Sequence, residues 1–183
     1  MLKKELKKAK KSGEFISVWL YSDPDGFWCG KIKAIQNGIV TLAHYSKYGA
    51  LDGTLYIPLY EIESVDFEDN YARAMAIIVK HHKKLAKESK IEIPIPTSKN
   101  WQAELLTFVN NKKAISTSLN LQNDLFICGK VVNVDKEFVA IHCIGKLGED
   151  EAISYYRLED VLSIQFDDLE GRKRLLLAEK MGA

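Results

Sequence analysis

Residues 27–32 read Phe-Trp-Cys-Gly-Lys-Ile, and residues 126–131 read Phe-Ile-Cys-Gly-Lys-Val. The two stretches lie 99 positions apart (126 − 27 = 99), and an alignment at this spacing needs no gap between Gly13 and Asp69. Three further pairs match at that spacing: Leu59 and Leu158, Ser64 and Ser163, and Phe67 and Phe166. A repeat indicates that one supersecondary unit is present twice. We therefore predict two domains, at residues 1–84 and 100–183, joined by a linker at 85–99.

The composition is that of a soluble globular protein, with 46% hydrophobic and 28% charged residues. The net charge of +1 gives no overall field that would attract nucleic acid or a membrane. No secretory signal is evident, and no apolar run reaches the roughly 18–20 residues needed to span a bilayer. Cys29, Cys128 and Cys143 form no CxxC pair. We expect reduced thiols and a cytoplasmic location.

Each half has the pattern of one helix, five short strands and a second helix. The first helices are predicted at 2–11 and Trp101–Asn110, and the trailing helices at Tyr71–Lys87 and Leu169–Lys180. The first strands are placed at Phe15–Leu20 and Ile115–Leu119, and a turn at 23–26 precedes strand two of the first half. Five short strands with tight turns favour a small closed barrel, because closure removes exposed edges.

A glycine motif in strand two carries a family resemblance. In the second half, Gly129 is followed by apolar Val131 and Val134 and then by Asp135 at the turn, whereas the first half has Gln36 at that turn position. Together with the closing strands, this pattern resembles the Sm-like (LSm, Hfq-like) family. The resemblance implies a mainly β, α+β fold of two tandem five-stranded barrels, each with an N-terminal and a trailing helix. Other SH3-like barrels fit the same pattern.

The residues that bind RNA in that family are largely replaced. The family places an aromatic residue or histidine two positions after the turn Asp and an asparagine two positions further on. This chain has Gly38 and Glu137 at the first position, and valines at the second. The Arg-Gly of the second family motif becomes Pro58-Leu59 and Arg157-Leu158. Asp135 and Arg157 are at most remnants of a uridine pocket, and a surface ion pair is the alternative interpretation.

Lysines are concentrated in the predicted helices. Six of them are candidate nucleic-acid contacts: Lys3, Lys7, Lys10, Lys83, Lys84 and Lys87. A basic helix can follow a phosphate backbone with salt-sensitive affinity. The alternatives are a solvated helix face, or contact with the acidic end of another copy.

No signature of catalysis, metal binding or cofactor binding was found. His81 and His82 are adjacent, so they lack the helical spacing that chelation needs. We therefore predict a non-enzyme without cofactor or metal. The preferred hypothesis is an Sm-like binding module that associates with RNA through its basic helices. The alternative is a protein-interaction or assembly module without nucleic-acid binding, whose partner is another protein or a second copy. No membrane partner is expected.

Strand two presents apolar residues on both of its faces in each half. Phe27 alternates with Trp28, and Phe126 alternates with Ile127. Both faces of such a strand must be covered. The flanking helices or the other barrel are the expected covers, and another chain is the alternative.

Overall fold

The computed structural model describes residues 1–87, 90–112 and 115–182. The chain divides into two compact units, at residues 1–84 and 85–183. Each unit contains one five-stranded antiparallel sheet and two helices. The predicted α+β class is therefore confirmed.

Unit one comprises two helices and five strands: α1 (Leu2–Ser12), β1 (Ile16–Leu20), β2 (Asp23–Gln36), β3 (Ile39–Tyr45), β4 (Leu51–Pro58), β5 (Ile62–Phe67) and α2 (Asn70–Leu85). A short 3-10 turn, Leu59–Glu61, joins β4 to β5. The strand order is β4-β3-β2-β1-β5. The β2–β3 hairpin turns at Asn37 and Gly38, whose φ angles of 49° and 77° explain the choice of these two residues.

Unit two has the same arrangement: α3 (Trp101–Asn110), β6 (Thr117–Leu121), β7 (Phe126–Val134), β8 (Phe138–Ile144), β9 (Asp150–Arg157), β10 (Val161–Phe166) and α4 (Leu169–Met181). Short 3-10 turns at Gln122–Asp124 and Leu158–Asp160 follow β6 and β9. The strand order is β10-β6-β7-β8-β9, which matches unit one strand for strand. The two sheets thus repeat one topology.

The predicted closed barrels are not confirmed. In each unit, the fourth and fifth strands lie at opposite edges of the sheet, and no pairing joins them within the described residues. The helices instead pack on the apolar residues of strand two. Trp28 packs into the core that contains Leu6 and Ala9 of α1, while the Phe27 ring lies 4.9 Å from that of Tyr71 in α2.

Unit two covers the two faces of β7 in the same way. Ile127 packs against a core that includes Leu106 and Val109 of α3. On the other face, the Arg174 guanidinium of α4 lies 5.4 Å from the centre of the Phe126 ring. The flanking helices therefore contact both faces of this strand, and the Phe126 ring remains 38% exposed.

The ungapped alignment is wrong in the first strands. Ser17 pairs with Cys29, and Ser118 pairs with Cys128, so the equivalent of Ser17 is Ser118 rather than Ser116. The first strand of unit two thus begins at Thr117, two residues later than predicted. Side chains on a strand alternate with a period of two, so a two-residue shift keeps every side chain on its face and leaves the pattern unchanged.

Two other predicted segments differ from the structure. Leu20 pairs with Asp23, so the first turn lies at residues 21–22, and the residues predicted as a turn at 23–26 extend β2. The extended part of the predicted linker packs on unit two, where Ile91 and Ile93 lie against the core. Proline restricts this segment to extended backbone, which places alternate isoleucines on one side.

Candidate functional site

Three candidate lysines form one stripe along α1. Lys3, Lys7 and Lys10 are spaced by four and three residues, which places them on one face of the helix. All three are exposed, and none has an ion-pair or hydrogen-bond partner among the described residues. Lys8 differs, because its ammonium lies 2.8 Å from the Glu5 carboxylate. The stripe spans about 10 Å of helix.

The opposite face of α1 is fixed to the core of unit one. Leu6 and Ala9 are 0% and 1% exposed. Gly13 ends the helix with φ 70°, and its N–H donates to the Ala9 carbonyl at 2.9 Å. The buried face determines the rotation of the helix, so the lysine stripe is held toward solvent.

The equivalent helix of unit two carries no lysine or arginine. α3 buries Leu106 and Val109, and Asn100 caps it by accepting a hydrogen bond from the Ala103 N–H. The Glu104 carboxylate accepts from the backbone N–H groups of Thr97 and Ser98, which lower its pKa. The fold therefore forms this helix without surface lysines, and the stripe is specific to unit one.

The second group of candidate lysines lies at the end of α2. Lys83 and Lys84 are exposed in its last turn, where positive charge favours the helix dipole. Lys87 follows the helix, and its carbonyl accepts a 2.6 Å hydrogen bond from the Arg172 Nη1. Their position at the end of α2 thus explains some of these three lysines without a ligand.

Asp135 is used within its own turn. Its Oδ1 accepts hydrogen bonds from the N–H groups of Glu137 and Phe138, at 2.8 and 2.7 Å. These two bonds lower the pKa of the carboxyl. Asp135 therefore stabilises the β7–β8 turn where unit one uses Asn37 and Gly38.

Arg157 pairs with Phe138 in the β8–β9 register, beside the same turn. Its guanidinium lies 5.1 Å from the centre of the Phe138 ring, and Nη1 is 3.4 Å from the Glu159 carboxylate. No ion pair joins Arg157 to Asp135 among the described residues. The predicted ion pair is therefore replaced by a contact with Glu159.

A groove of about 570 Å³ opens beside this turn. Its lining mixes cationic, acidic and amide side chains: Lys99, Asn100, Gln102, Lys136, Glu137, Arg157, Leu158 and Glu159. Asn100 also donates to the Lys136 carbonyl at 3.5 Å, which ties the turn to the start of α3. The groove therefore offers polar contacts without a dominant charge, and it lacks the aromatic platform on which a base stacks.

A cysteine, a serine and an aspartate stand at equivalent positions in both units (Cys29, Ser17 and Asp69; Cys128, Ser118 and Asp168), and the ungapped alignment concealed the serine. In unit two, Ser118 donates to the Asp168 Oδ1 at 2.8 Å, and the same carboxylate caps α4. In unit one, burial raises the pKa of the Cys29 thiol to about 12. A thiol with that pKa is a poor nucleophile. In unit two, the Ser118–Asp168 hydrogen bond links α4 to the sheet.

An exposed pair of equivalent tyrosines lies outside the predicted site residues. Tyr56 on β4 and Tyr155 on β9 are 72% and 69% exposed, and both lie on edge strands. Their identity at the 99-residue spacing was the available signal. An exposed aromatic residue retained in both copies is not explained by core packing.

No group of three or more His, Cys, Asp or Glu side chains within the described residues could hold a metal ion. No helix there is long and apolar enough to cross a membrane. No protein-family model matches this chain, and no curated protein matches it.

Proposed function

We propose that the protein is a non-enzymatic binding module that associates with RNA through the lysine stripe of α1. The observation that carries this proposal is the set of unpartnered ammonium groups of Lys3, Lys7 and Lys10 on a helix held by its buried face. Such groups bind phosphates by displacing condensed counterions. The resemblance to Sm-like proteins favours RNA among the polyanions.

The geometry of α1 argues against a membrane surface as the ligand. A helix that binds a bilayer inserts its apolar face into the lipid. In α1 that face is occupied, since Leu6 and Ala9 are buried in the core of unit one. Only the lysine side remains for a ligand, and it presents charge without an apolar anchor.

Binding of labelled single-stranded RNA at two salt concentrations tests the proposal. The K3Q/K7Q/K10Q variant is expected to lose most of the affinity. The slope of log affinity against log salt concentration should also be smaller in magnitude by about 2, because each phosphate contact contributes about 0.7 to that slope and three contacts are lost. A wild-type protein that binds no RNA at low salt would overturn the proposal.

A matched control distinguishes the effect of where the lysines lie from the effect of the total charge removed. The K33Q/K130Q/K146Q variant removes the same three charges from strands and loops, where these lysines are partly or fully exposed. We expect its affinity to stay within about two-fold of wild type. Equal losses in the two triple variants would mean that only overall charge matters.

A protein-interaction module is the second candidate. Tyr56 and Tyr155 favour it, because tyrosine is enriched at protein interfaces and both side chains are exposed. The Y56S/Y155S variant should then lose a protein partner that wild type retains, with RNA affinity unchanged. Unchanged partner binding would exclude this surface.

A further inference from the structure

Each sheet ends in two edge strands whose outer backbone groups have no strand partner among the described residues. An unpaired edge can pair with another chain, and proteins usually protect edges with charges or proline. Three of the four edges are protected in this way: β4 contains Asp52 and Pro58, β5 contains Glu63 and Asp66, and β9 contains Asp150, Glu151 and Arg157. β10, at Val161–Phe166, has neither a charged residue nor a proline.

The difference between β5 and β10 lies at two exposed positions. Glu63 of β5 is replaced by Leu162 in β10, and Asp66 is replaced by Gln165. Leu162 is 62% exposed. Unit one thus carries two acidic side chains where unit two presents an exposed leucine and an amide on the same edge.

We propose that two copies of this chain associate by antiparallel pairing of their β10 strands. Like charges that face each other across paired strands are destabilising. Self-pairing of β5 would bring Glu63 and Asp66 of both copies into one interface, whereas the six residues of β10 contribute no charge and acidic residues flank them only at the ends, at Asp160 and Asp167. A two-fold axis lets the same strand serve both partners and closes the assembly at a dimer. This inference does not depend on RNA binding.

Molar mass measured by light scattering, from about 1 µM to about 1 mM protein, tests the proposal. Wild type is expected to shift from monomer to dimer within this range. The L162E/Q165D variant gives β10 the acidic residues of β5, and we expect its dissociation constant to rise at least ten-fold. The L125E/Q122D variant makes the same two changes at exposed positions between β6 and β7 and should dimerise like wild type.

Three results would overturn the proposal: a wild-type monomer throughout, a dimer that L162E/Q165D leaves intact, or assemblies larger than a dimer. Hydrogen exchange on wild type provides a readout that does not depend on the folding of a variant. The amides of residues 161–166 should exchange more slowly as protein concentration rises, whereas those of β5 should not change. Exchange in β10 that is independent of concentration would also overturn it.

Discussion

Replacing Gly30 with alanine tests whether β2 and β3 approach each other as closely as the structure indicates. An ideal Cβ at Gly30 would lie 2.1 Å from the Ala43 carbonyl oxygen, whereas ordinary contact begins at 3.4 Å. The two strands would therefore have to separate by about 1.3 Å (3.4 − 2.1). The contacted atom belongs to the backbone, so no side-chain rotation can relieve the clash. Gly129 meets the His142 carbonyl oxygen at the same distance, 2.1 Å.

The expected loss of stability follows from this overlap. Forcing extra atoms into a packed site typically costs up to about 3 kcal/mol. We take the upper value because the obstacle is a hydrogen-bonded strand. With a urea dependence of about 1–1.5 kcal/mol per molar for a small unit, the unfolding midpoint should fall by roughly 2–3 M.

Urea unfolding followed by tryptophan fluorescence measures this shift. In a W101F background, the remaining signal comes from Trp19 and Trp28, which both lie in unit one. Gly26→Ala is the matched control in the same strand, because its Cβ would meet the movable Asp23 carboxylate at 3.2 Å. Equal midpoints for Gly30→Ala and Gly26→Ala would refute the close approach of the strands.

Three further predictions concern buried or bonded ionisable groups. Burial opposes ionisation of Glu170, but hydrogen bonds from Lys173 and Arg174 outweigh it and lower its pKa below 4.5. The stability that this carboxylate provides should thus be present above pH 4.5 and decline as the pH falls through the lowered pKa. Glu170→Gln should cost about 3 kcal/mol in thermal unfolding at pH 7 and remove that acid dependence. Cys29, with its pKa raised to about 12, should react with a thiol reagent at pH 8 only on unfolding, at a rate that increases with urea. Asp135→Ala should lower the melting temperature, because it loses two turn hydrogen bonds, whereas Asp135→Asn should show a smaller decrease because its amide oxygen can still accept them.

The sequence correctly predicted those elements whose residue pattern is compatible with only one local structure. Hydrophobic periodicity located α3 at Trp101–Asn110, and the Asn-Gly pair located the β2–β3 turn, since few residues accept positive φ at both positions. The start of β6 was missed because Ser116, Ser118 and Asn120 alternate with one threonine and two leucines, and two registers then satisfy the same faces. The pairings with β7, among them Ser118 with Cys128, distinguish these registers.

The loops before β4 and β9 show the opposite case: residues 46–50 and 145–149 match only at the lysine and the glycine, yet both loops form the same two backbone hydrogen bonds. Gly49 and Gly148 both have positive φ, of 86° and 87°. A Cβ on Gly49 would meet the Ile78 carbonyl oxygen at 2.8 Å, and one on Gly148 would meet the Ala178 nitrogen at 2.4 Å. The loop conformation therefore depends on a close approach to the trailing helix, which the intervening residues do not encode.

The candidate site was predictable only in part. A sequence shows which side chains are charged, but it does not show which partners they bind in the folded chain. The lysine spacing on α1 indicated one face, and the structure shows that Lys8 of this helix forms an ion pair, with Glu5, whereas the ammonium groups of the stripe form none among the described residues. The use of the Asp135 carboxylate by its own turn could not be inferred from the motif, since the same residue type serves a pocket or a turn equally well.

The divergence between the two copies separates what the fold requires from what it leaves free. Phe27 and Phe126 are equivalent, yet one is covered by Tyr71 and the other by Arg174, so the ring is retained while its cover changes between aromatic and ionic chemistry. Helix α3 packs without surface lysines, so the stripe on α1 is not needed to form this helix. By the same reasoning, the acidic residues of β5 are not needed to form the fifth strand, because β10 forms without them. Surface charges that the fold does not require, and that one copy has and the other lacks, are therefore the places where we expect the two units to differ in what they bind.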